Sequence, residues 1–155
     1  MPILLTTPHT YDPGHGKPTV DYALVIIETM AMHATSKRLV LGLLYFNLNP
    51  TTGAIEPSPE RMLTVTIENK PEVVDRQQRI NPETGIAEIE DVEISPEDNA
   101  FDAMQTAFTI RVNAGVLEVD GVSAVWGAEA RGYDFVSTFL YQYLIDHDYY
   151  EGTIV

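Results

Sequence analysis

The run Tyr22 to Glu28, YALVIIE, is the most constraining segment of the chain. It is short, β-branched and apolar at alternate and intervening positions alike, so a strand made from it has no face suited to water. It therefore predicts a central, doubly covered strand. A second apolar run, Leu39 to Asn47 (LVLGLLYFN), follows the polar break His33 to Arg38. Asn49-Pro50-Thr51-Thr52-Gly53 then offers proline for a turn and glycine for a positive φ. Arg61 to Glu68 (RMLTVTIE) alternates, as a strand with one wet face does. Three antiparallel strands joined by hairpins are the economical topology.

At 155 residues, 45% of them hydrophobic, the chain suits one domain with a core of its own. Residues 1–20 hold four prolines and two glycines and show no sustained period, which predicts an extended arm ahead of a single domain over residues 21–155. His9, Asp12 and His15 lie together in that arm, but a proline- and glycine-rich segment positions ligands poorly, so no metal site is expected there. The acidic stretch Asn69 to Asn99 is rich in turn formers. Its Asn81-Pro82-Glu83-Thr84-Gly85 repeats the Asn-Pro-x-Thr-Gly of residues 49–53. The pattern matches a sortase sorting signal, but neither copy precedes a hydrophobic anchor, and turn chemistry accounts for both.

Ser95-Pro96-Glu97-Asp98 reads as a helix start, with serine as cap, proline in the first turn and acids at the positive end of the dipole. Phe101, Met104, Ala107 and Phe108 then fall on one helical face. Val122 to Trp126 predicts a fourth strand, Gly127 to Gly132 a loop, and Tyr133 to Asp146 a buried helix.

Twenty-three acidic side chains against nine Lys and Arg give a formal charge of −14. That field repels polyanions and argues against a general nucleic-acid coat or an anionic-membrane binder. The absence of cysteine removes disulfides, thiolate zinc sites and thiol nucleophiles together. No run approaches the ~18–20 apolar residues of a membrane helix, and the N-terminus lacks the basic n-region of a signal peptide. A soluble protein, cytoplasmic or in a phage particle, is the expectation.

The order strand, strand, strand, helix, strand, helix, with three antiparallel strands and a parallel fourth, resembles an RNase H-like α/β domain. Val25-Ile26-Ile27-Glu28-Thr29-Met30, then Gly42 to Phe46 and the Thr52-Gly53 hairpin, resemble the first motif of DEDD-superfamily 3′–5′ exonucleases, in their phage and bacterial branch. Arg76 to Thr84 (RQQRINPET) is similar to a further segment of that branch. Val125-Trp126-Gly127 followed by Gly132-Tyr133-Asp134-Phe135 is similar to its second acidic motif. These fragments span residues 22–145 in order.

The resemblance implies a mixed sheet with flanking helices and a site in which carboxylates hold two divalent metals for in-line attack on phosphate. It implies Glu28 and Asp134 as remnant catalytic and metal-binding residues, close together on adjacent strand ends and holding Mg²⁺ or Mn²⁺ weakly. Ile26 stands where the family carries an aspartate, a lost ligand position. His147-Asp148 has the letters of the third motif but follows Asp134 far too closely. The expectation is thus a degenerate exonuclease-like domain, inactive alone, that contacts nucleic acid or completes a site with another chain. The alternative is a non-catalytic protein-binding or virion structural module. The charge, the N-terminal arm and the tyrosines Tyr141, Tyr143, Tyr149 and Tyr150 suit that alternative, the tyrosines as a docking surface.

Overall fold

In a computed structural model, the structure describes residues 2–49, 51–57, 63–119, 122–126 and 132–155. The chain runs β1 (Ile3–Tyr11), β2 (Val20–His33), β3 (Arg38–Leu48), β4 (Ile55–Pro57), β5 (Leu63–Lys70), β6 (Val73–Ile80), β7 (Ala87–Ser95), β8 (Asp98–Asn99), α1 (Ala100–Ala114), β9 (Val116–Val119), β10 (Val122–Val125), α2 (Gly132–Asp146) and β11 (Gly152–Ile154). The main sheet has the order β11-β1-β2-β3-β5-β8, with β4 also on β3. Every pairing in it is antiparallel. β9 with β10, and β6 with β7, form separate two-stranded ribbons.

The RNase H-like α/β expectation is therefore overturned: the fold is a curled, mostly antiparallel β-sheet, and the described residues hold two helices and no parallel fourth strand. The segment expected to supply that strand, Val122 to Trp126, is β10 with Trp126 beyond its end, and it pairs antiparallel with β9 from Val122↔Val119 to Val125↔Val116. Two residues separate these strands. A hairpin closes over so short a link, and closing it costs little entropy compared with pairing to a strand far away in sequence.

β2 is central as predicted, with β3 on one side as expected, but its other neighbour is β1. Residues 3–11 of the proline-rich stretch thus lie within the sheet, with Ile3 fully buried. Pro8, which has no N–H to give to a ladder, falls where the β1–β2 register shifts between Leu4 and His9. At the outer edge β11 covers β1, and Gly152 is required there because a Cβ would stand 2.2 Å from the Leu4 carbonyl oxygen.

Along β3, Leu39, Leu41, Leu43 and Tyr45 alternate and are all buried. Val25 and Ile27 stand opposite Tyr45 and Leu43 and share that face, as do Val65 and Ile67 of β5. Thr64 and Thr66 are exposed, so β5 has the wet face read from its alternation. Arg61 and Met62 lie outside the described residues. α1 closes the core with Phe101 and Met104, and α2 with Phe135, Phe139, Leu140, Tyr141 and Leu144. Leu24 is buried on the opposite face of β2, across from Phe46, which is why this strand reads as apolar on both sides.

Helix α1 begins at Ala100, later than Ser95 suggested. Ser95 instead ends β7 opposite Val73. The free N–H groups of Phe101 and Asp102 donate to Asn69 Oδ1 at 3.0 and 3.2 Å, so a β5 side chain caps the helix. The Asn69 amide also donates to Asp102 Oδ2 at 2.9 Å, and Lys37 Nζ lies 3.2 Å from the same oxygen.

Candidate protein-interaction surfaces

The acidic, turn-rich middle of the chain folds as the β6–β7 ribbon. Its turn is built by Asn81: the side-chain oxygen accepts the N–H groups of Glu83 and Thr84, while the backbone carbonyl accepts that of Gly85. Gly85 sits at φ 70°, the left-handed region where glycine costs least. Asn49 does the same for Thr51, Thr52 and Gly53, so the repeated Asn-Pro-x-Thr-Gly is a repeated hairpin turn. Pro50 lies outside the described residues. Each asparagine also donates across its hairpin to a glutamate seven residues on, Glu56 at 2.8 Å and Glu88 at 3.2 Å.

The ribbon stands off the body. All eight residues of β6 are exposed, and so are seven of the nine in β7. Its extensive contacts among the described residues run between its own two strands. Directly opposed pairs share a side of an antiparallel ladder, which sorts the side chains into two faces. One face carries Val74, Ile80, Ala87 and Ile89, with Gln78 and Glu93 and with Arg76 paired to Asp91 at 3.3 Å. The other carries Asp75, Gln77, Glu88, Val92 and the pair Arg79–Glu90 at 3.4 Å. Ile89 is 78% exposed and Ile80 68%, with Ile86 bare beside the turn and Ile94 at the root. Ile94 is the unpaired residue where the register shifts beside Val74.

A second apolar surface lies on the body. Met30, Met32 and Leu39 of the sheet, Met104 and Phe108 of α1 and Leu140 of α2 line a groove of about 460 Å³. Phe108 is packed edge-on against Trp126, Phe135 and Phe139, with ring centroids 5.9, 5.9 and 5.1 Å away. Met32 is 63% exposed at its mouth. Methionine is flexible and polarisable, which lets such a surface adapt to what it binds.

The residues singled out for nuclease chemistry are placed otherwise than the resemblance implied. Glu28 is exposed in the middle of β2, the extra residue where the register slips between Ile27 and Thr29. That slip interrupts the alternation that would set Ile26 and Glu28 on one face. Ile26 is half-buried opposite Leu44. Asp134 is exposed in the first turn of α2, so the adjacent strand ends expected for the two carboxylates do not exist in this fold. The helix meets β2 two turns further along, where the Ile27 N–H donates to Tyr141 Oη at 2.8 Å. Among the described residues no three His, Asp or Glu side chains form a group suited to a metal ion.

His9 stacks on Tyr45 at 4.1 Å, Asp12 accepts the Gly14 N–H, and His147 stacks on Tyr143 at 4.0 Å. Of the four tyrosines read as a docking surface, Tyr141 and Tyr143 are core residues and Tyr150 is half-buried. Tyr149 alone of the four is exposed, at 43%.

The ribbon's isoleucines were the functional candidates that sequence reasoning passed over. Their signal was there: AEIEDVEIS alternates, and VVDRQQRI precedes it across an Asn-Pro-x-Thr-Gly turn. No helix of the described residues is long and apolar enough to cross a membrane. No protein-family model, characterised protein or solved structure matches the chain.

Proposed function

We propose that this chain is a protein-binding module that docks through the apolar face of its β6–β7 ribbon. The observation that carries the reading is the exposure of Val74, Ile80 and Ile89 on one side of a two-stranded ribbon with which no other described element makes extensive contact. A lone hairpin is marginally stable in water and needs a covered apolar face to persist. Burying an isoleucine side chain fully is worth about 1.5–3 kcal/mol, so two or three of them covered by a partner offset the ordering of the ribbon. Residues 73–95 carry six carboxylates against two arginines, which favours a protein surface over a polyanion.

The test is photocross-linking in the producing cells, with a benzophenone amino acid at Ile89 and a control copy carrying it at Thr52 in the other Asn-Pro-x-Thr-Gly turn. The reading expects discrete protein adducts from position 89 and none from 52. Adducts to nucleic acid alone, or no adduct, overturn it.

A further inference from the structure

β6 has β7 along one edge and, among the described residues, no strand along the other, and all eight of its residues are exposed. We infer that this open edge pairs with the same edge of a second copy, β6 antiparallel to β6 about a two-fold axis through Gln77. The contact uses the ribbon's edge and leaves free the apolar face on which the docking reading rests, so it goes beyond that reading.

The hydrogen bonds of the hairpin fix what the open edge presents. The Asn81 N–H donates to the Ile86 carbonyl at 2.9 Å, so these two residues are a hydrogen-bonded pair. Counting back by twos, Arg79, Gln77 and Asp75 also turn their N–H and C=O groups toward β7. Val74, Arg76, Gln78 and Ile80 turn theirs outward. A two-fold antiparallel contact must set outward residues against outward residues, which confines it to registers centred on a residue opposite itself.

Of those registers, the one centred on Gln77 matches the side chains. It sets Val74 against Ile80 of the second copy, Asp75 against Arg79 and Arg76 against Gln78, and by symmetry each of these again in reverse. Apolar meets apolar and acid meets base. The Asp75–Arg79 pairs fall at non-hydrogen-bonded positions, where opposed side chains stand closest. Centring on Arg76 opposes arginine to arginine, and centring on Gln78 sets Asp75 on Asn81 and Arg76 on Ile80, with no charge pair left. Opposed residues share a side, so Val74 and Ile80 of both copies join Ala87 and Ile89 on one face. The marginal two-stranded ribbon becomes half of a four-stranded sheet with an apolar face.

The ribbon's other edge discourages such a contact. β7 carries Glu88, Glu90, Asp91 and Glu93 and a bulge at Ile94, so a second copy there would meet acid with acid, a common way of keeping an edge single. β6 has no proline and no bulge between Val74 and Ile80, and Asp75 is its one acid. Arg79 already lies 3.4 Å from Glu90 of its own ribbon, but that pair is well exposed and the guanidinium has further N–H groups for Asp75 of the second copy. Asp75 makes no ion pair among the described residues and accepts only a long bond, 3.4 Å, from the Gln77 amide.

Two measurements on the full chain test this, in about 0.15 M salt so that the repulsion between copies of charge −14 is largely screened. Sedimentation velocity between about 1 and 200 µM should show monomer giving way to dimer. Asp75→Arg, at an exposed site, sets arginine against Arg79 of the second copy and should weaken that dimer at least fivefold. The second measurement is disulfide trapping. Gln77 opposes itself at a position where Cα atoms stand about 4.5 Å apart, within disulfide reach, and the chain has no cysteine of its own. Gln77→Cys in a glutathione buffer should give a covalent dimer, and Glu90→Cys, opposite it on β7, less than half as much.

A chain that is monomeric at 200 µM, an Asp75→Arg variant weakened less than fivefold, or a yield from position 90 at least half that from 77 overturns the inference. Pairing of the β6 edge with a strand of some other protein would show as the first of these. Adducts to another protein from position 89 support the docking reading whichever way these results fall, so the two fail separately.

Discussion

Tyr141 shows how one side chain fixes the relation between helix and sheet. Its hydroxyl accepts the buried Ile27 N–H at the point where β2 slips register past Glu28, joining residues 114 apart in sequence. Tyr141→Phe keeps the ring and leaves that N–H without this acceptor, so about 1–3 kcal/mol of stability should be lost, read as a lower midpoint in urea unfolding. Tyr143 and Tyr150 make a second residue-scale prediction. Burial raises both phenols above the ordinary value near 10, Tyr143 further through Tyr149 and Asp98, and Tyr150 further through its neighbour Tyr45. A group whose folded pKa is raised stabilises the fold fully below its unfolded value, and that contribution is lost as pH climbs through the folded one. Unfolding free energy should thus show no loss from these groups below about pH 9 and fall above pH 10, with a shallower fall in Tyr150→Phe. A stability that holds level to pH 11.5 would contradict this.

Elements were legible in the sequence where local chemistry set them. The alternation of Thr64, Val65, Thr66 and Ile67, the doubly apolar run of β2 and the α2 helix all survive in the structure. What failed was choice of partner: Val122 to Val125 reads as a strand, but no residue in it says that β9 will be its mate and β1 the neighbour of β2. Helix α1 likewise starts at Ala100 because a side chain from β5 caps it, and no local pattern near Ser95 reveals that. The Asn81 to Gly85 turn is legible from its residues, but the strands on either side of it are not, because charged and polar side chains crowd them. Gly85 tests that turn. At φ 70° a side chain is strained, so Gly85→Ala should cost about 1 kcal/mol or more of local stability. Amide exchange in β6 and β7 should quicken, while exchange in β2 and β3 stays as it was; equal quickening in both would mean that the ribbon is welded to the core.

At the scale of the whole molecule the chain divides into a curled sheet sealed by two helices and a ribbon that shares little with that core. The reading of Glu28 and Asp134 as site residues came from resemblance alone. The fold offers an exposed bulge and an exposed helix start for them, and its unsatisfied apolar surface lies elsewhere. Docking therefore depends on one face of the ribbon, and neighbouring residues in β7 sample its two sides. Ile89 and Glu88 adjoin in β7 but point to opposite sides of the ribbon. The decisive measurement is the yield of protein adducts from a photocross-linker placed at each in turn, in cells, at equal expression. Docking through the isoleucine face predicts abundant adducts from position 89 and at most a trace from position 88. Equal yields from the two, or a larger yield from 88, would contradict it.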